Sequence, residues 1–297
     1  LSLYGISQVL QVYTFSVATD LYGDIPYSES LKGATGTITP AYDKQEAIYP
    51  ALITTLDQAI VNIKSGVGAK PAAADLLYSG DIVKWEAFAN SLKLRLLNHL
   101  SKKNPTQALT FLQTNPALIT NVANNAKVNY GTVASNANPI HQFDVLSGRK
   151  DNAVCKTLVD KMKALNDPRV SKYFLPVTNN GSGFAGQYLG NLPGNDSDDS
   201  GENLYSRVGP SYASINSPVI LLSAAEVEFI KAEIYFMIWI KFVGTTNTAI
   251  FHVTVISQGW LKLLKPHIVC TITISSLFTV HRHNVPFGCP SGYAEFP

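Results

Sequence analysis

Apolar residues recur at steps of three and four through residues 78–103. Ile82, Trp85, Ala89, Leu92, Leu96 and Leu100 fall on one side of an α-helix. Asp81 stands where a carboxylate satisfies orphan amides, and Lys102 and Lys103 occupy the last turn, where the helix dipole favours cations. Asn104-Pro105 stops this helix and starts another over 104–113, with Asn as N-cap, Pro in the first turn and Leu109 and Leu112 facing the stack. One stripe cannot bury itself, so partner helices are required. Leu3, Ile6, Leu10, Tyr13, Val17 and Leu21 predict the first, over residues 1–20, ended by Gly23 and Pro26. Asp43 and Glu46 form a D-x-x-E capping box opening a helix with Ile48, Leu52, Leu56 and Ile63 inward. Pro50 is expected to bend that helix or delay its start. Asp151 caps a helix with Val154, Leu158, Met162 and Leu165 inward, ended by Asp167-Pro168, with Cys155 on its apolar side. Ser223 and Glu226 box a last helix through Val227, Ile230 and Ile234.

The helices near 43 and 81 begin roughly 38 residues apart, near the period of tetratricopeptide-type helix pairs. Between them and the last helix lies a loop-rich region, 115–219, interrupted by the helix opened at Asp151. Asn, Ala and Thr dominate 115–147, read as loops with short helices, and Gly, Asn, Ser and Pro dominate 176–219. The expected fold is mostly α: a helical repeat scaffold over 1–236 carrying a loop-rich region. After Phe236 the pattern breaks. Residues 237–297 contain one acid, Glu295, yet hold four histidines, and they follow no period for long. Such a change is inconsistent with the helical sequence before it, and the tail reads as irregular and as non-native coding sequence, such as an out-of-frame read-through.

Composition narrows the functions. The 297 residues carry a net charge of +2 and only 15% charged residues, which gives no electrostatic case for nucleic acid. No run is long and apolar enough to span a bilayer. Three cysteines, Cys155, Cys270 and Cys289, supply no disulfide framework. The chain opens on Leu1 and reads as a fragment or processed product.

Candidate chemistry is sparse. Asp24 with Glu29 and Asp43 with Glu46 are the carboxylate pairs a glycosidase would need, but turns and caps explain the same residues. Asp196-Ser197-Asp198-Asp199-Ser200-Gly201 resembles the opening of a calcium loop, although Arg207 stands where the bidentate Glu belongs. A looser calcium site from Asp196, Asp198 and Glu202 is weighed against a solvated acidic loop. His281, His283, Cys270 and Cys289 match no common zinc spacing. Trp85 and Phe88 lie on the buried stripe and read as core. Loop aromatics differ, because sugar C–H faces stack on Tyr while amides and charged groups read hydroxyls. Tyr173, Phe184, Tyr188, Asn191, Tyr205, Arg207 and Tyr212 lie among Gly and Pro. Tyr188, Asn191, Tyr205, Arg207 and Tyr212 are taken as the ligand-binding candidates, against anchoring of the loops by buried tyrosines.

Six blocks in order, DLYGDIPYSESL (20–31), PAYDKQEAIY (40–49), LDQAI (56–60), YSGDIVKWEAFANSLKLRLLNHL (78–100), LNDPRVSKYF (165–174) and SAAEVEFIKAE (223–233), resemble the SusD/RagB family. The resemblance covers Leu1 to about Tyr235 and leaves out the tail, the family's lipid-bearing Cys, its first helices and a Trp-rich segment. It implies a surface-exposed outer-membrane lipoprotein that binds an oligosaccharide or glycan and passes it to a TonB-dependent, SusC-like transporter. Bond breaking is not implied, and neither is any cofactor beyond the calcium weighed above. The membrane contact it implies is a lipid anchor outside this chain. The alternatives are a tetratricopeptide-like adaptor for a protein or peptide, and a glycoside hydrolase with unrecognised carboxylates.

Overall fold

Helices dominate the fold, as the apolar periodicity predicts. The computed structural model describes residues 1–68, 71–149, 152–178, 183–194 and 204–245. In chain order the helices are α1 (Ser2–Tyr22), α2 (Gln45–Lys64), α3 (Ile82–His99), α4 (Gln107–Gln113), α5 (Pro139–His141), α6 (Lys156–Ala164), α7 (Val170–Tyr173), α8 (Pro210–Ala213) and α9 (Ala224–Thr245). The strands are β1 (Ala126–Val128), β2 (Phe174–Leu175), β3 (Arg207–Val208) and β4 (Val219–Leu222). The chain divides into two compact units. Among the described residues, a helical unit comprises Tyr4–Lys64, Glu86–Asn124 and Ala224–Thr245; a loop-built unit comprises those of Leu1–Leu3, Ser65–Trp85 and Asn125–Ser223.

In the helical unit α3 is buried on more than one side, with Phe88, Ala89, Leu92, Leu94 and Leu96 all sealed from solvent. Ile48, Leu52, Leu56 and Ile63 of α2 are inward, as their spacing predicts. So are Val227, Ile230 and Ile234 of α9. Arg95 Nε donates to Glu226 at 2.6 Å and Asn98 Nδ2 to Glu233 at 2.9 Å, tying α9 to α3. Glu226, in the first turn of α9, therefore serves Arg95. Pro50 lies inside α2, which runs through it without a delayed start.

Three expectations are corrected here. α1 buries Ile6, Val9, Val12, Ser16 and Thr19, leaving Leu10, Val17 and Leu21 of the predicted stripe exposed, with Leu3 outside as well. Its first eighteen residues carry no charge, so spacing alone selects no face. Close approach selects it. A Cβ on Gly5 would lie 2.7 Å from the Ala59 carbonyl oxygen and 2.9 Å from Ile63 Cγ1, so α1 sits on α2 at a distance only glycine permits. Second, α4 begins at Gln107, because the Asn104 amide closes the end of α3 on the Leu100 carbonyl at 2.8 Å. Lys102 and Lys103 follow the end of α3 at His99 and lie in that closing turn.

Third, the Asp43/Glu46 box gives way to an exchange between neighbouring segments. Asp24 accepts from the Gln45 amide at 3.0 Å and from Lys44 Nζ at 2.7 Å, so the α2 start is capped from outside. Asp43 in return accepts from the amides of Tyr27 (3.0 Å) and Ser28 (2.7 Å), and Ile25 and Asp43 pair as a two-residue antiparallel bridge. The Lys44 ammonium and Gln45 amide hold the Asp24 carboxyl below its ordinary range, and the Ser28 backbone and hydroxyl do the same for Asp43. Glu29 accepts from the Ala41 amide at 2.8 Å. Carboxylates read as caps do serve backbone amides, but across the loop and not within one helix.

The loop-built unit is organised at its start by Asp75. This buried carboxylate accepts from the amides of Leu77, Tyr78 and Gly80 and, at 2.6 Å, from the Trp85 indole. Burial pushes its pKa up, but the indole and the three amides outweigh burial and leave it lowered. Asp81 accepts from the amides of Val83 and Lys84 and caps α3 as expected. Further along, β1 pairs antiparallel with β4, and β2 with β3. These short strands have too few residues for a readable alternation, which is why periodicity missed them.

Candidate functional site

The candidate residues of the loop-built unit gather around Ala153–Cys155. Val154 N donates to the Ser206 carbonyl at 3.0 Å, Asn191 N to the Val154 carbonyl at 2.8 Å, and Lys156 N to the Asn191 carbonyl at 2.8 Å. The Ser206 amide donates to the Leu189 carbonyl at 2.8 Å, and the Leu189 amide to Ser206 Oγ at 3.1 Å. One short extended segment therefore holds 188–191 and 205–208 on its two sides. Asn191 and Arg207 each form a bridge with it, to Cys155 and Ala153 respectively. Alternation along 205–208 buries Ser206 and leaves Tyr205 and Arg207 half-buried. Tyr188 packs against the apolar cluster of Val154, Val159, Met162 and Phe174.

Two glycines set how closely these segments pack. A Cβ on Gly190 would fall 2.3 Å from Lys156 Cα and 2.5 Å from its amide nitrogen. On Gly209 it would fall 2.5 Å from the Phe174 nitrogen and from the Tyr173 carbonyl carbon. Neither space accepts a side chain, because the opposing atoms are backbone. The Gly209 amide also donates to the Tyr173 carbonyl at 2.7 Å, which seats α8 beside α7. Asn138 steadies the same region, its side-chain Nδ2 donating to the Ser217 carbonyl at 2.8 Å, while a His141 ring nitrogen meets the Ala213 carbonyl at 2.9 Å.

The result is an aromatic pair. The rings of Tyr173 and Tyr212 lie 5.3 Å apart, inclined at 57°, and Tyr212 is 45% exposed. The Arg169 guanidinium lies 5.6 Å from the Tyr173 ring centre and is gripped by Asp167, whose carboxyl it pulls down to about 2. Partial burial raises the Tyr212 phenol, Tyr173 adds to this, and Arg169 opposes it. Such a pair offers flat apolar faces with hydroxyls at the edge, the combination that receives a sugar ring. Arg169 was missed by reading single loop residues, although its spacing of four from Tyr173 on a helical turn is a signal for contact.

Several sequence-derived positions change meaning here. α6 starts at Lys156, so Cys155 precedes it and is exposed, not packed; the amides of Leu158 and Thr157 lower its thiol. Leu158 and Leu165 face out, while Val154 and Met162 are buried as expected. The reason is length: nine helical residues bury only one turn's worth of side chains, Val159 and Met162. Asp151, the expected cap, lies outside the described residues, as do Asp196, Asp198 and Glu202 of the weighed calcium site and the His and Cys residues of the tail. Among the described residues no three His, Cys, Asp or Glu gather to hold a metal ion. Among them, too, no helix is long and apolar enough to cross a membrane.

Comparison with known proteins bears on most of the chain. The model of the SusD-like family, described as starch-binding and associating with outer membrane, matches residues 2–260. This runs past Tyr235, where the resemblance of the six blocks ends. A chitin-binding protein has a similar structure, with a TM-score of 0.64 and 26% identity, over 80% of this chain and 52% of its own. A chitin-binding SusD homologue from Flavobacterium johnsoniae gives 0.61 and 26%, over 78% of this chain and 47% of its own. A SusD homologue from Bacteroides vulgatus ATCC 8482 gives 0.65 and 26%, over 84% and 49%. The chain thus spans about half the length of these solved structures. No curated protein matches it.

Proposed function

This chain belongs to the SusD-like family, and from that premise we propose that it captures an oligosaccharide at the cell surface without breaking it and hands it to a TonB-dependent transporter. Membership carries the reading, supported by two relatives named as chitin-binding. Locally, the Tyr173–Tyr212 pair is the stacking platform, and Arg207, Asn191, Tyr188 and Tyr205 supply polar edges and further ring surface around it. Asp167 neutralises Arg169, so the platform suits an uncharged sugar face. Of the four carboxylates weighed for a hydrolase, Asp24, Glu29 and Asp43 accept from backbone amides and Glu46 lies 3.6 Å from Lys103 Nζ, which favours binding over hydrolysis. Attachment to the outer membrane through a lipid anchor is part of the same proposal.

Affinity electrophoresis on soluble chitin oligomers and starch tests the proposal. Retardation on at least one of them is expected, weakened about tenfold in Tyr212→Ala, the size of one aromatic contact. Indifference to every glycan, with capture of peptides instead, would replace this reading by the adaptor. Release of reducing sugar from a retained glycan would replace it by the hydrolase.

A further inference from the structure

We propose that His141 is a positioning residue of the sugar platform: its ring nitrogen holds α8 by the Ala213 carbonyl at 2.9 Å and so sets where Tyr212 meets Tyr173. This rests on the binding reading above. A helix of four residues cannot hold its own place, since its first amides and last carbonyls have no partner within it. Bonds inside 209–217 shape α8. The Tyr212 and Ala213 amides donate to the Gly209 carbonyl at 3.1 and 3.0 Å, and the Ser214 and Ser217 hydroxyls to the Pro210 carbonyl at 2.7 and 3.0 Å. Those bonds fix the form of the turn and leave its seat open.

Bonds to other segments supply the seat. At the entry, the Gly209 amide donates to the Tyr173 carbonyl at 2.7 Å. At the exit, the partner is the segment 138–141. Asn138 is buried and meets 215–217 twice, its backbone amide donating to the Ile215 carbonyl and its Nδ2 to the Ser217 carbonyl, both at 2.8 Å. Its Oδ1 accepts from the Ile140 and His141 amides at 2.8 and 3.3 Å. One buried side chain therefore fixes the His141 backbone against the stretch that follows α8.

His141 completes that frame at the residue next to Tyr212. A carbonyl only accepts, so the ring nitrogen facing it, Nδ1, carries the hydrogen. The Ala213 carbonyl ends α8, where no amide of the same helix follows to satisfy it. With the Tyr173 carbonyl at one end and the His141 ring at the other, α8 is held on both sides. The 5.3 Å between the Tyr173 and Tyr212 rings is the outcome. His141 thus acts on a bound sugar through Tyr212.

A double-mutant cycle on glycan retardation tests this. His141→Phe keeps a ring and removes the donor; it should weaken retardation on soluble chitin oligomers or starch, whichever retains the wild type, about fivefold, the size of one hydrogen bond. In a Tyr212→Ala background the same change should cost nothing further, because its route to the sugar is gone. Two independent effects would instead multiply to about fiftyfold. His141→Asn places an N–H where Nδ1 stands and should recover most of the loss. His141→Ala replaces the Phe variant if that chain lacks the far-ultraviolet helical signal. Near-ultraviolet dichroism of the tyrosine pair, read without glycan, should fall in His141→Phe and return in His141→Asn. Multiplying effects in the cycle, no rescue by Asn, or unchanged retardation and dichroism in the Phe variant would overturn the positioning role and leave glycan binding standing. A wild-type chain that no glycan retards would overturn the binding reading, and the dichroism of the variants would still decide whether His141 seats Tyr212.

Discussion

The helical unit and the loop-built unit solve the same problem by different physics. Around α3, stability comes from non-directional burial: Phe88, Leu92, Leu94 and Leu96 need apolar neighbours of the right volume and little else. Around Ala153–Cys155, the buried cluster is small and position is fixed by backbone bonds and by glycines pressed onto backbone atoms. The contrast teaches where each unit is fragile. A packed core loses stability in proportion to the volume removed, whereas a segment seated on a glycine fails when a single carbon is added.

The largest effect that would sharpen this comparison is Phe88→Ala. Truncating a sealed aromatic ring should cost about 3–5 kcal/mol, read as a lower denaturant midpoint of the helical transition. Next comes Gly209→Ala, where one methyl group against the backbone of Tyr173 and Phe174 should cost about 3 kcal/mol. It should also separate Tyr212 from Tyr173, seen as a loss of near-ultraviolet dichroism and of glycan retardation, while the far-ultraviolet helical signal stays. A Gly209→Ala protein with unchanged near-ultraviolet bands would break the comparison. The smallest effect is that of acid. Asp24 and Asp43 in one unit and Asp75 and Asp167 in the other are all held below the ordinary carboxylate range. Groups lowered on folding stabilise the fold above their unfolded values and lose that contribution as pH falls through the folded ones. Both units should therefore soften together below about pH 4. Acid melting of one unit at a pH where the other is untouched would show that these carboxylates are not equivalent supports.

Legibility followed the same division. α2 was readable because it carries a long apolar series with polar residues between, so that spacing alone picks the face, whereas α3 was readable as a helix although it is buried on more than one side. α1 was readable as a helix but not in orientation, since Leu10 and Val9 are equally apolar and the deciding residue, Gly5, acts through its lack of a side chain. Asp43 looked like a helix cap because the competing partner, the Tyr27–Ser28 turn, is distant in sequence and becomes a neighbour only through the Ile25 bridge. In the loop-built unit, composition pointed to the tyrosines without telling which would meet. Tyr212 reaches Tyr173 because Gly209 folds back on it, a relation between residues some forty apart that no local pattern encodes. Fold class was thus a local property of this sequence, and the pairing of candidate site residues was not.

The pair of bonds between Leu189 and Ser206 carries a consequence for engineering. Those two residues form a neck, with sixteen residues between them along the chain. Entropy of closure rises only with the logarithm of length, by about 0.6 kcal/mol per doubling. An affinity tag, a reporter peptide or a foreign recognition hairpin spliced between Gly194 and Leu204 should be carried at almost no thermodynamic burden, making this neck the natural port for grafting.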